Sequence, residues 1–66
     1  MESELEQARR HVAEGRRLIA AQEDLIKSLK AQGKPTDNAE ATLETFKRCQ
    51  AMFEGHLKAI SQSQTQ

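Results

Sequence analysis

Two histidines and a glutamate are the side chains of this 66-residue sequence best suited to bind a metal. If the chain turns back on itself near residue 34, residue i lies opposite about residue 69 − i, so that His11 faces Lys58 and His56 faces Ala13. Both imidazoles then lie at about one level with Glu14 nearby, and this donor set could hold zinc or iron. Neither histidine belongs to a spaced ligand motif such as H-E-x-x-H. We therefore expect no metal site, and a metal-binding bundle through His11, His56 and Glu14 remains an alternative.

The single cysteine, Cys49, lies between Phe46 and Phe53. A catalytic thiol needs a neighbouring base and an electropositive, partly exposed site, but His56 is two helical turns away. The sequence contains no Gly-rich phosphate loop, paired-carboxylate pocket or nucleophile–base pair. We predict a non-enzymatic protein without a cofactor, in which Cys49 packs in a core or an interface.

Four arginines follow one edge of the first half of the chain: Arg9, Arg10, Arg16 and Arg17. Such a stripe could grip phosphates, which gives a second alternative, an RNA-binding four-helix-bundle dimer. Acidic residues interleave with the arginines, however, and this pattern is typical of a solvated, salt-bridged face. Ten basic residues balance ten acidic ones, and Trp and Tyr are absent. We therefore expect no nucleic-acid partner.

The elements that must position these residues are predicted by two apolar seams, one on each side of Gly33–Thr36. In each half, residues of one stripe recur at alternating steps of three and four, the spacing of helices that pack lengthwise. The first seam is Leu5, Ala8, Val12, Gly15, Ile19, Gln22, Ile26 and Leu29, and the second is Ala39, Leu43, Phe46, Gln50, Phe53, Leu57 and Ile60. The fold class is therefore all-α, with one antiparallel helical hairpin spanning residues 1–66.

Capping residues predict the helix bounds. Ser3 with Glu6 forms a capping box, so the first helix spans about residues 3–32 and ends before Gly33, a natural C-terminal residue. A turn at 33–36 contains Pro35, which cannot continue the helix. The second helix begins at Thr36 or Asp37 and runs to about residue 60, followed by a polar tail at 61–66 that we expect to fray.

A second apolar row widens the stripe beyond what one antiparallel neighbour covers. Leu18 and Leu25 precede seam residues in the first helix, and Cys49 and His56 lie on the matching row of the second. A hairpin of this size has little core of its own, and small domains of this kind usually need a partner chain. We expect a homodimer that forms a four-helix bundle, with an interface made by Leu18, Leu25, Ile19, Ile26, Phe46, Cys49, Phe53 and Leu57.

Two glycines interrupt the helices at nearby levels. The 69 − i pairing sets Gly15 opposite Glu54 and beside Gly55. A helical glycine costs about 1 kcal/mol relative to alanine. Because Gly15 lies on the seam itself, we interpret it as a point of close approach or as space for a bulky neighbour such as Phe53 of a partner chain.

The N-terminal residues, the length of the apolar runs and the cysteine content together predict where in the cell the protein resides. The first dozen residues are acidic and polar, so we expect no secretory leader. No apolar run approaches the ~18 residues of a membrane span. A lone cysteine fits a reducing compartment, and we predict a cytoplasmic protein without a membrane partner.

The sequence from His11 to about Leu57 resembles that of a group of short helical-hairpin proteins of alphaproteobacteria, of the rhizobial type. The matching segments are His-Val-Ala-Glu-Gly at 11–15, Leu-Ile at 25–26, the Gly33 turn and Thr-Phe at 45–46. The resemblance implies a cytoplasmic bacterial protein and no activity that can be transferred. Together these observations favour a small interaction or regulatory module that acts through homodimerisation and protein–protein contacts.

Overall fold

The chain forms two helices of equal length that pack against each other as an antiparallel hairpin. A computed structural model describes residues 1–64, with α1 spanning Glu4–Ala31 and α2 spanning Asp37–Gln64. Each helix has 28 residues. The predicted all-α hairpin is thus confirmed.

Both helices begin where the capping residues predict. The Ser3 hydroxyl oxygen accepts a hydrogen bond from the Glu6 backbone N–H at 3.1 Å, and Ser3 itself is extended. At the start of α2, the Thr36 carbonyl accepts from the Glu40 N–H at 2.8 Å. The Ser3 bond satisfies a donor that a helix N-terminus otherwise leaves unpaired, and the Thr36 bond is the first backbone bond of α2.

The turn is a Schellman motif centred on Gly33. Gly33 has a φ of 70°, in the left-handed region that favours glycine. Its N–H donates to the Lys30 carbonyl at 3.0 Å, and the Lys34 N–H donates to the Leu29 carbonyl at 2.9 Å. This pair of bonds is the one that defines the motif, and it reverses the chain directly after α1.

The second helix is four residues longer than predicted. It continues to Gln64, whereas the sequence predicts an end near Ile60. Residues 61–64 contain only Ser and Gln, whose helix propensities are moderate, and no Gly or Pro interrupts them. The sequence predicts that the tail at 61–66 frays; residues 61–64 instead continue α2, and 65–66 lie outside the described residues.

The seams form the hairpin's core. Ala8, Val12, Ile26, Gln50 and Ile60 are buried, and the other seam residues are half-buried except Phe53, which is exposed. Gly15 contacts Gln50 and His11 packs against Phe53, so seam residue i faces about residue 65 − i. The predicted 69 − i pairing is wrong by four residues, about one helical turn. The reason is that the chain reverses at Gly33, so Lys34–Thr36 already lead back toward α2.

Candidate interaction surface

One side of the seam is apolar and exposed. We call it the open flank and define it by Leu18, Leu25, Cys49 and Phe53. The two leucines are 52% and 46% exposed, Phe53 is 38% exposed, and Cys49 is also exposed. Soluble monomers rarely leave apolar side chains grouped in this way uncovered. The open flank is therefore the candidate surface for an interaction.

The other side of the seam is charged. Arg16 lies 3.6 Å from a Glu54 carboxylate oxygen, and Lys30 lies 3.9 Å from one of Glu40. Arg16 and Lys30 each come one position after a seam residue of α1. Leu18 and Leu25 of the open flank each come one position before a seam residue, so the two pairs lie on opposite sides of the stripe. All four charged side chains are about half exposed or more, so each pair contributes about 0–1 kcal/mol.

The predicted arginine stripe is partly neutralised by carboxylates. Arg10 donates two hydrogen bonds to Glu2, at 2.8 and 3.0 Å, and lies 3.7 Å from Glu14. The bonds to Glu2 raise the pKa of Arg10 above its usual value. With Arg16 paired to Glu54, two of the four arginines face carboxylates, an arrangement typical of a solvated salt-bridged surface.

Gln50 places a buried amide at the centre of the seam. It is 6% exposed, and its Nε2 donates to the Val12 carbonyl at 2.9 Å. A Cβ at Gly15 would overlap the Gln50 Oε1, so this glycine provides the space that the amide occupies. Of the two interpretations of Gly15, the structure shows the second, space for a neighbouring side chain, but that neighbour is Gln50 of the same chain and not Phe53 of a partner. Gly55 has open space around it and does not share this role.

A small cavity opens from this amide onto the open flank. It has a volume of about 40 Å³ and is lined by Gly15, Leu18, Phe46, Cys49, Gln50 and Phe53. We call it the notch. The Gln50 Oε1 is buried and accepts no hydrogen bond within the described part of the chain.

The proposed metal ligands do not converge. The His11 ring packs against Phe53 with 5.3 Å between centroids, rather than facing Lys58. His56 lines a shallow depression with Glu4 near the open end of the hairpin and does not face Ala13. The corrected register explains both positions. Within residues 1–64, no group of three or more His, Cys, Asp or Glu side chains is placed to hold a metal ion.

The eight predicted interface residues divide into two sets. Ile26 is buried within the hairpin, and Ile19, Phe46 and Leu57 are half-buried along its seam. The remaining four are the residues of the open flank. Sequence reasoning did not anticipate that Gln50 would line this surface, although matching the two seams end to end would have set it opposite Gly15.

Neither helix, as far as the described residues extend, combines the length and apolar character needed to cross a membrane. In comparisons with known proteins, the chain matches no protein-family model, no curated protein and no solved structure. The resemblance to alphaproteobacterial hairpin proteins therefore stays a prediction.

Proposed function

We propose that this protein is a non-enzymatic helical interaction module that pairs with a second copy through the open flank, forming a four-helix bundle that acts by protein–protein contacts. The observation that carries the proposal is the exposure of Leu18, Leu25 and Phe53 on one side of a seam whose other side is charged. The exposed thiol of Cys49 favours a reducing setting such as the cytoplasm.

The exposed area of the hairpin supports self-association. A compact protein of 7.4 kDa exposes about 4,200 Å², whereas this hairpin exposes 5104 Å². The excess of about 900 Å² is close to the ~800 Å² that each partner buries in a standard interface. A second copy on the open flank would thus bring the exposed area per chain to that of an ordinary folded protein.

The small core supports the same proposal. Among the described residues, only Ala8, Val12, Ile26 and Ile60 are buried apolar residues. Ordering a chain costs about 1.5 kcal/mol per residue, and a core of this size does not offset that cost alone. Covering Leu18, Leu25 and Phe53 would add apolar burial at about 25 cal/mol per Å².

Serine substitutions on the open flank test the proposal. We expect the L18S/L25S double variant to weaken the dimer by about 4 kcal/mol, or roughly a thousandfold, because four half-exposed leucines leave the interface of two copies. The matched control is A13S/A20S, which places serine at two exposed positions elsewhere on α1. Dimer dissociation constants would be measured by light scattering over a dilution series. Equal dissociation constants for the two double variants would contradict the proposal.

A further inference from the structure

His11 extends the open flank toward the open end of the hairpin. It comes seven residues before Leu18, which comes seven before Leu25, and this repeat puts the three side chains on one row of α1. The His11 ring also packs against the Phe53 ring, with 5.3 Å between centroids, and His11 is half-buried. A partner that covers Phe53 and Leu18 therefore takes the His11 imidazole further out of water.

The charged groups beside His11 on α1 are already paired with each other. The Glu14 side chain is one helical turn away, and its carboxylate lies 3.7 Å from Arg10. Arg10 in turn donates two hydrogen bonds to Glu2. Glu14 and Arg10 are both about half exposed, so water weakens the interaction of either group with a charged imidazole.

On α2, the titratable groups within two residues of the position level with His11 are Glu54 and His56. Glu54 lies 3.6 Å from Arg16 on the charged flank, across the seam from the open flank. His56 is exposed and lines the depression near the open end. The attraction of the Phe53 ring for a cation acts within a single hairpin, so pairing does not add to it.

We propose that protonation of His11 weakens the pairing of two copies through the open flank, which makes self-association depend on pH. The inference rests on the proposed function. Imidazole side chains ordinarily change charge between about pH 5 and 8. Removing water from the ring disfavours its charged form, whereas a neutral ring is buried at lower cost. The pair therefore binds fewer protons than two separate copies, and its affinity falls as the pH falls.

The test is the dimer dissociation constant of the full chain, measured by light scattering over dilution series at about pH 8 and about pH 5.5. The lower value stays above the range in which exposed carboxylates take up protons. We expect the parent dimer to be about thirtyfold weaker at the lower pH, because each copy must release a proton on pairing. With His11→Gln, which removes the titrating ring, the two dissociation constants should agree within about threefold.

The matched control is His56→Gln, which makes the same substitution at an exposed histidine. This variant should keep the pH dependence of the parent. Circular dichroism on each variant at both pH values checks that the helices remain formed at concentrations where the dimer is present.

A second measurement uses the parent protein alone. Dilution calorimetry at about pH 6, in two buffers with different ionisation enthalpies, counts the protons that are bound as the dimer dissociates. We expect an uptake of about half a proton per chain. This count decides the question even if His11→Gln does not dimerise.

Two results would overturn this inference and leave the proposed function standing. One is a parent dimer that has the same affinity at both pH values and takes up no protons when it dissociates. The other is a pH dependence that His11→Gln retains in full. A parent protein that is monomeric at both pH values would overturn both the inference and the proposed function.

Discussion

Gln50 interrupts the apolar seam with a buried amide, and Gly15 makes that possible. The amide is held by its bond to the Val12 carbonyl, and the absence of a side chain at Gly15 leaves the space for it. Polar residues at single seam positions are known to specify helix register at some cost in stability. At the residue scale, this pair ties the alignment of α1 to that of α2.

Two glycine-to-alanine substitutions distinguish the effect of filling the space beside Gly15 from the effect of helix propensity. Alanine is favoured over glycine in a helix by about 1 kcal/mol, so Gly55→Ala, with open space around it, should raise the free energy of unfolding by about that amount. Gly15→Ala should lower it by about 1 kcal/mol, because the new Cβ displaces the Gln50 amide from its bond to Val12. Thermal unfolding at one fixed protein concentration measures both. A stabilised Gly15→Ala would show that the Val12 carbonyl does not hold the amide in place.

The sequence indicates that Gly15 is a contact between the helices, but it does not indicate which side chain occupies the space beside it. Its seam position predicts either a close approach or space for a bulky neighbour, and the structure shows a side chain in that space. The identity of the neighbour depends on the register between helices, and a shift of four residues replaces Glu54 with Gln50. An error of one helical turn therefore leaves the seam intact and changes every cross-helix pair.

At the scale of the elements, the helices and their turn follow from local chemistry. Alternating steps of three and four predict both helices, and Ser3, Gly33 and Pro35 predict where α1 begins and the chain turns. The register is harder because it depends on which turn residue reverses the chain. The Schellman bonds at Gly33 complete that reversal before Pro35, which the sequence pattern alone does not distinguish.

The turn provides a prediction of its own. Gly33→Ala should destabilise the hairpin by about 1 kcal/mol, although no atom lies within 4 Å of the added methyl, because an L-residue is strained at a φ of 70°. Gly55→Ala is the matched control, since it adds the same methyl where the backbone is helical. Denaturant unfolding followed by circular dichroism measures both. If Gly33→Ala were neutral, the left-handed turn would not describe the protein in solution.

At the scale of the molecule, the hairpin is asymmetric about its seam. One flank bears ion pairs such as Arg16 with Glu54. The other exposes Leu18, Leu25 and Phe53, and the first and last of these line the notch. The wide apolar stripe can be predicted from the sequence. Which side of the seam is apolar, which side is charged and where the Gln50 amide is buried depend on how the two helices are aligned. This asymmetry gives the molecule one face suited to a partner.

Under the proposed function, this hairpin folds together with a second copy. The most direct measurement is mass by light scattering across a dilution series, with helicity by circular dichroism on the same samples. We predict a dimer of the 7.4 kDa chain at high concentration, with helicity that falls as the dimer dissociates. A stable, fully helical monomer at every concentration would contradict coupled folding and self-association.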